Sequence, residues 1–171
     1  MKSQHKSVGS SGSTEADQSV KSAGHRLLVV DDDSSVRETL TRVLVDEGYL
    51  VWAAADGPAA LEIAAAEKVD LVLLDLKLPG MDGWDAFYRL TAGNPLLAVI
   101  IITARPNQLF TALGAGVGAL LEKPLDFPDL LQTINRLLAE PAESRLARIL
   151  GCPTDGHYMH VQHKEQKTQT D

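Results

Sequence analysis

The sequence predicts a doubly wound α/β fold, in which helices cover both faces of a five-stranded parallel sheet. Five short apolar runs predict the strands, at 27–30, 50–54, 71–74, 99–102 and 119–121. Several of them are rich in valine, isoleucine and leucine without polar alternation, which is typical of strands buried on both faces. Helical patterns separate the runs, and a repeated strand–helix unit produces a parallel sheet with right-handed crossovers.

Four of the five helical patterns have an apolar face, and two of them also have a start signal. Pro58 suits the first turn of the second helix, and Asp126 is expected to cap the fifth. The fourth helix, between 106 and 113, is the weakest, and a glycine-rich stretch at 114–118 follows it. The residues expected to face inward are Val36, Leu40, Val43 and Leu44 on the first helix, Leu61 and Ala65 on the second, Trp84, Phe87 and Leu90 on the third, and Leu130, Ile134, Leu137 and Leu138 on the fifth.

Length and composition favour one domain between two polar tails. The chain has 171 residues, of which 44% are hydrophobic, enough for one ordinary core. Residues 1–24 show no hydrophobic period and are predicted to be a disordered tail. Residues 25–140 form the predicted domain. Residues 141–171 form a C-terminal extension, in which 143–150 has the pattern of a short amphipathic helix that extends the fifth helix, packs on the domain or meets a partner, before a disordered tail.

Charge and cysteine content restrict the partners and the compartment. The net charge of −7 argues against general affinity for nucleic acid. The single cysteine, Cys152, cannot form an internal disulfide, which fits a reducing compartment. The N-terminus lacks the apolar stretch of a secretion signal, and the longest apolar run, 96–104, is about half of a membrane helix. We therefore expect a soluble, cytoplasmic protein with no nucleic-acid or membrane partner.

Polar residues follow four of the five predicted strands. Three aspartates at 31–33 follow the first strand, Asp75 the third, Thr103 the fourth and Lys123 the fifth. The carboxyl ends of parallel strands lie along one edge of the sheet, where open α/β sheets bind their ligands. We therefore expect these side chains to meet in one site.

These residue types suit phosphoryl transfer. Carboxylates held close together repel one another unless a cation joins them. Magnesium suits such a site because it accepts a few carboxylates and readily takes a phosphate oxygen. Lys123 adds a second positive charge and Thr103 a hydroxyl donor. A carboxylate nucleophile with these groups predicts a site that works by positioning and charge neutralisation.

Four segments together resemble the receiver domain of bacterial two-component response regulators, in a chemotaxis-regulator-like form. They are LLVVDDD at 27–33, DLVLLDLKLPGMDGWD at 70–85, IIITA at 100–104 and LEKP at 121–124. They occur in the family's order and at its spacing, and the resemblance covers residues 25–140. It implies the flavodoxin-like strand order 2-1-3-4-5.

The resemblance also implies a role for each site residue. Asp75 would accept a phosphoryl group, and Thr103 and Lys123 would bind its oxygens. The Mg²⁺ ligands would be the side chains of Asp32 and Asp75, Asp31 mainly through water, and the backbone carbonyl of Lys77. A cis peptide bond is expected between Lys123 and Pro124.

The leading hypothesis is a stand-alone receiver, since no segment is long enough for a DNA-binding or catalytic output domain, rather than an enzyme acting on other substrates. It would promote only its own phosphorylation and dephosphorylation. The expected partners are a sensor histidine kinase or a histidine phosphotransfer protein, and a downstream target protein. Signalling would use altered protein–protein contacts or onward transfer in a phosphorelay, and a homodimer is left open.

Two features near the site carry hypotheses of their own. Many receivers have an aromatic residue where this chain has Leu120, so we expect the surface to rearrange through the loop after strand four and the flexible glycines instead. Lys77 and Arg105 flank the expected site. One hypothesis is that they shield the phosphoryl group and prolong its lifetime, and the alternative is that they are solvated rim charges.

The same residues allow other interpretations. Asp33 or Ser34 is expected to cap the first helix, but capping does not account for Asp75 and Lys123. A pseudo-receiver would have gaps in the acidic pocket. A haloacid-dehalogenase-like phosphatase needs an aspartate where Lys77 stands, and a nucleotide-binding enzyme needs a glycine-rich loop after the first strand.

The C-terminal tail contains one cysteine and several histidines. Their spacing is not that of a well-known closed zinc site, so a solvated tail is the favoured interpretation and metal binding the alternative. The residues concerned are Cys152, His157, His160 and His163.

Overall fold

The computed structural model describes residues 24–105 and 107–151, and the backbone of residues 160–161. The predicted disordered tails lie largely outside these residues, as does Pro106. The predicted domain boundaries at 24 and 140 therefore stay predictions. None of the helices in the described part of the chain is long and apolar enough to cross a membrane.

All strands of the sheet are parallel, and the predicted α/β fold is confirmed. In chain order they are β1 Arg26–Val30, β2 Leu50–Ala54, β3 Leu71–Asp75, β4 Ala98–Thr103, β5 Ala119–Glu122 and β6 His160–Val161. Their order across the sheet is β2-β1-β3-β4-β5-β6, which contains the expected order 2-1-3-4-5. The two-residue strand β6, beside β5, was not predicted.

The helices begin and end close to the positions that their sequence signals indicate. They are α1 Ser34–Asp46, α2 Gly57–Ala66, α3 Gly83–Gly93, α4 Leu109–Gly114, α5 Phe127–Ala139 and α6 Ala142–Ile149. An aspartate side chain caps the N-terminus of α1, α2, α3 and α5, which satisfies amide groups that have no partner within the helix. The cap of α1 is Asp33, one of the two expected residues, and Asp126 caps α5.

Alternate residues of the central strands form two apolar cores, one on each face of the sheet. The core under α1 and α5 includes Leu27, Val29 and Leu40. The core under α2, α3 and α4 includes Leu28 and Val30. Such alternation is expected of strands covered on both faces, because successive side chains point to opposite sides.

One inward-facing residue of α2 was wrongly predicted. Ala65 is exposed, and Ala60 is fully buried instead. The sequence of α2 is GPAALEIAAA, and in such an alanine-rich helix the apolar period does not single out one face.

The glycine-rich stretch 114–118 was expected to be flexible, but its last two residues pack closely on the domain. Val117 is fully buried, and its amide donates to the Ala112 carbonyl at 3.1 Å. Gly118 donates to the Val99 carbonyl at 2.9 Å, and a side chain at Gly118 would collide with Leu137. Close packing, rather than mobility, therefore explains glycine at position 118.

Helix α6 packs on the domain rather than extending α5. Arg145 donates hydrogen bonds of 2.7 Å to the carbonyls of Leu96 and Leu137. Arg148 contacts the Glu140 carboxylate at 2.8 Å and also donates to the Gly116 carbonyl. The two arginines thus join α6 to the end of α5 and to the loops before β4 and β5.

Candidate functional site

The site lies at the carboxyl ends of four neighbouring strands. Asp31 directly follows β1, Asp75 ends β3, Thr103 ends β4 and Lys123 directly follows β5. Because β1 and β3 are paired, with Val30 opposite Leu74, the aspartates that follow these residues become neighbours. The topology therefore brings together side chains that are far apart in the sequence.

Three carboxylates form an acidic cluster. One oxygen from each of Asp31, Asp32 and Asp75 lies within 4.8 Å of the others. The first and third are nearly buried, with exposures of 2% and 4%, whereas Asp32 is exposed. Like charges at this spacing are costly without a cation. A set of carboxylate oxygens at an open rim fits a hard cation such as Mg²⁺ better than metals that prefer nitrogen or sulfur.

Lys123 bridges the two buried carboxylates. Its ammonium Nζ lies 2.8 Å from Oδ2 of Asp31 and 2.5 Å from Oδ2 of Asp75. Burial of the ammonium by itself lowers its pKa. The hydrogen bonds to Asp31 and Asp75 and the charges of these carboxylates outweigh that effect, so the pKa of Lys123 is raised above its usual value. Lys123 therefore stays charged at neutral pH.

The second oxygen of Asp75 is held by the backbone. Its Oδ1 accepts a hydrogen bond from the Lys77 amide at 2.8 Å. The Lys77 amide thus orients the carboxylate, while the predicted role of the Lys77 carbonyl as a metal ligand stays a prediction. The peptide bond between Lys123 and Pro124 is cis, as the resemblance implies.

Thr103 is buried beside the cluster with its hydroxyl already oriented. Its Oγ1 accepts a hydrogen bond from the Arg105 amide at 2.9 Å. A hydroxyl that accepts in this way keeps its own proton for donation. The Thr103 carbonyl accepts from the Lys123 amide at 2.9 Å, so the ends of β4 and β5 are joined at the site.

The two basic residues at the rim differ in their contacts. The Arg105 guanidinium pairs with the Asp82 carboxylate at 3.2 Å, and both side chains are about half exposed. Close by, Trp84 Nε1 donates to Gln108 Oε1 at 3.0 Å. These contacts tie the loop between β4 and α4 to the start of α3. They favour the interpretation of Arg105 as a solvated rim charge. Lys77 is exposed, which fits the same interpretation.

Leu120 lies in β5 and is part of the core under α2, α3 and α4, with an exposure of 1%. It therefore has neither the chemistry nor the exposure of a residue that alternates between two positions at the surface. Rearrangement through the loop after β4 and the neighbouring glycines stays a prediction.

One residue that contacts the site was missed in the sequence. The Arg37 guanidinium donates to the backbone carbonyl of Asp31 at 2.7 Å. Its spacing of four residues from Asp33 suggests an ordinary charge pair along a helix, and no sequence signal indicates a bond to a backbone carbonyl. Of the candidate zinc ligands in the tail, Cys152, His157 and His163 lie outside the described residues, and the side chain of His160 is not described.

Comparisons with curated proteins find relatives that are longer than this chain. Response regulator MprA from Mycolicibacterium vanbaalenii is 38% identical over 115 residues, which cover 66% of this chain and 50% of that protein. MprA from Mycobacterium leprae has the same identity and coverage. The chain thus spans about half the length of these curated relatives.

Comparisons with solved structures find receiver domains and response regulators. The CheY-like receiver domain protein from Methanospirillum hungatei has a TM-score of 0.64 and 32% identity, covering 68% of this chain and 94% of that one. TrrA from Thermotoga maritima, solved in complex with Mg²⁺-BeF, has a TM-score of 0.62 and 28% identity, covering 66% and 98%.

The family model that matches this chain is that of the response regulator receiver domain, over residues 27–135. The matched segment contains all the proposed site residues, from Asp31 to Lys123. This match and the fold show that the chain belongs to the response regulator receiver domain family, the signalling phosphoacceptors of two-component systems.

Proposed function

We propose that this chain is a magnesium-dependent phosphoacceptor in which Asp75 carries the phosphoryl group. The observation that carries the proposal is the Lys123 ammonium, which contacts both Asp31 and Asp75 in a cluster of three carboxylates. A buried carboxylate can act as a nucleophile toward an anionic phosphoryl donor when neighbouring groups balance its charge, because the repulsion between the two anions is then reduced.

The proposed reaction is transfer from a phosphohistidine to Asp75. A carboxylate oxygen of Asp75 bonds to phosphorus as the phosphorus–nitrogen bond breaks, and that electron pair stays on the imidazole nitrogen. Lys123 would then pair with a phosphoryl oxygen, and the Thr103 hydroxyl would donate a hydrogen bond to another. Mg²⁺, when bound by Asp31, Asp32, Asp75 and the Lys77 carbonyl, would neutralise charge on the carboxylates and the phosphoryl group.

The proposed donor is a sensor histidine kinase or a histidine phosphotransfer protein. The proposed output is an altered contact with a downstream protein, or onward transfer in a relay. One structural neighbour supports a protein output: CheY from Borrelia burgdorferi was solved in complex with CheX, BeF3 and magnesium, and matches with a TM-score of 0.64 at 29% identity, over 68% of this chain and 90% of that one.

Several finer expectations stay predictions. The net charge of −7 favours protein partners over nucleic acid for this chain. We propose a stand-alone role in the cytoplasm, with a homodimer left open, for this chain, which spans about half the length of its curated relatives.

The test is phosphorylation by a small phosphodonor in the presence of Mg²⁺, followed by intact-protein mass spectrometry. We expect one phosphoryl adduct in the wild type, none in Asp75→Ala, and none in the wild type with excess chelator. Asp85→Asn is the matched control, because Asp85 is an exposed carboxylate in the first turn of α3. An unmodified wild type would favour a pseudo-receiver, and an adduct on Asp75→Ala would place the acceptor elsewhere.

A further inference from the structure

Arg37 makes a contact that the phosphoryl-transfer chemistry does not require. It is the fourth residue of α1, and its Nη1 donates to the main-chain carbonyl of Asp31 at 2.7 Å. That carbonyl lies just past the end of β1, at the start of the loop that carries the acidic cluster. A hydrogen bond from a guanidinium is charge-assisted and is stronger than one between neutral groups.

Stabilisation of α1 does not explain an arginine at this position. The N-terminal end of a helix carries partial positive charge, so the dipole disfavours a cation there. Arg136 in α5 and Arg148 in α6 stand in last turns, where the dipole favours them. Arg37 stands at the opposite end, and α1 has no acidic residue in its first turn. Its contact with the loop before α1 therefore serves that loop rather than the helix.

The bond from Arg37 completes the set of contacts that hold Asp31. The Asp31 amide donates to the Ala54 carbonyl at 3.2 Å. Its Oδ1 accepts from the Asp33 amide at 2.9 Å, and its Oδ2 accepts from Lys123. With Arg37 on the carbonyl, every polar group of Asp31 has a partner.

The same bond also restrains the backbone that leads into Asp32. The peptide unit that joins Asp31 to Asp32 is planar, so a partner on the Asp31 carbonyl sets the orientation of that whole unit. Asp32 is exposed, and no described residue donates a hydrogen bond to its carboxylate. The position of this carboxylate in the cluster therefore depends on its backbone.

We infer that Arg37 is a positioning residue, which holds the backbone at Asp31 and Asp32 so that both carboxylates face Asp75 and together bind a divalent cation. This inference rests on the proposed function of the site. Charge alone would act in the opposite direction, because a guanidinium near the cluster repels a divalent cation. Removing Arg37 should therefore weaken Mg²⁺ binding if positioning of the backbone is the main effect, and strengthen it if charge repulsion is.

The test is calorimetric titration of the full chain with MgCl₂ at constant ionic strength. Arg37→Met keeps much of the side-chain volume and loses the donor, and we expect it to weaken Mg²⁺ binding about tenfold, as for other residues that orient metal ligands. Arg37→Lys keeps a donor and is expected to retain most of the affinity. Arg42→Met is the matched control, since Arg42 is exposed on the same helix, and it should bind like the wild type.

A second readout does not need the metal. In chelator, amide exchange of Asp33 should accelerate in Arg37→Met, because its bond to the Asp31 carboxylate loosens, while exchange across β3 stays unchanged. If Arg37→Met is too unstable to titrate, Arg37→Gln, which is too short to reach the carbonyl, should show the same loss. Wild-type or tighter Mg²⁺ binding in these variants would overturn the role of Arg37. A wild type that binds no Mg²⁺ would instead overturn the proposed function.

Discussion

At the scale of single residues, charge balance in the acidic cluster depends on Lys123. Asp31 and Asp75 are nearly buried, and each places one oxygen on the same ammonium. Removing one member of a buried ion pair costs more than the pair contributes, because the remaining charge stays without compensation. Here two carboxylates share one cation, so the cost of its removal falls on both.

Replacing Lys123 with methionine should therefore destabilise the metal-free protein. We expect a loss of about 3 kcal/mol in the free energy of unfolding, measured by urea titration in chelator. Mg²⁺ should restore part of the loss, because it supplies positive charge to the same oxygens. Lys68→Met, at an exposed site on the other end of the sheet, should leave stability unchanged. Equal stability of Lys123→Met and Lys68→Met would contradict this account.

The raised pKa of Lys123 predicts how stability depends on alkaline pH. Since the folded-state pKa is higher than the unfolded value of 10.5, the contribution of the charged ammonium is complete below that value. It is lost as the pH rises through the folded-state pKa. Urea titrations in chelator above pH 10.5 should show a steeper decline for the wild type than for Lys123→Met. Parallel declines would mean that Lys123 titrates alike in both states.

Site residues at strand ends could be predicted from the sequence, whereas the contact of Arg37 with the site could not. Asp31, Asp75, Thr103 and Lys123 stand at strand ends, and parallel pairing alone brings strand ends to one edge. The contact of Arg37 depends on how a long side chain leaves a helix and where a carbonyl points. The pattern of apolar residues in the sequence contains no information on these two directions. The contact of Arg37 is therefore known only from the structure.

At the scale of single elements, the start of α3 depends on Asp82 in two ways. One carboxylate oxygen accepts the Trp84 amide at 2.9 Å and caps the helix, and the other pairs with Arg105 at 3.2 Å. Gly83 allows the close approach that this start requires, because a side chain there would overlap the backbone of Leu76. Neither the cap at Asp82 nor its pairing with a loop 23 residues away was predicted from the sequence.

Variants at Asp82 and Arg105 should separate the two contacts. Asp82→Ala loses both and is expected to lower the free energy of unfolding by about 1 kcal/mol, the usual value of an N-cap. Asp82→Ser keeps a capping oxygen and should recover most of that loss. Arg105→Ala loses only a half-exposed ion pair, so its effect should stay within about 0.5 kcal/mol. Urea titrations measure all three, and a loss in Arg105→Ala as large as in Asp82→Ala would show that the ion pair, not the cap, is the main contribution.

At the scale of the whole molecule, the order of the strands places the acidic residues together. Alternating strand and helix patterns predicted the parallel sheet, and the resemblance supplied the order 2-1-3-4-5. Strand β6 was beyond prediction, because a two-residue strand is defined by the backbone pairing of His160 with Leu120 and Val161 with Leu121. A segment so short has no hydrophobic period to recognise.

The part of the sheet beyond β4 is where we expect phosphorylation to change the molecule. Helix α4 has only six residues and no side-chain cap at Gln108. Asn107 has a positive φ of 60°, a backbone conformation that is uncommon for residues other than glycine and that asparagine adopts more readily than most. By contrast, β1 and β3 are central and buried. Weakly held elements are those that shift when a site is occupied.

Amide exchange with and without Mg²⁺ and a small phosphodonor tests this expectation. We expect altered exchange in residues 103–120, because recruitment of the Thr103 hydroxyl to a phosphoryl oxygen pulls on the loop that Arg105 and Gln108 tie to α3. Exchange in β1 and β2 should stay unchanged. Asp75→Ala, treated alike, should show no change in 103–120, which separates phosphorylation from metal or donor effects. If the wild type also shows no change, the surface does not rearrange through this loop. Because Leu120 is fixed in the core, a partner protein would then have to recognise the phosphorylated site directly.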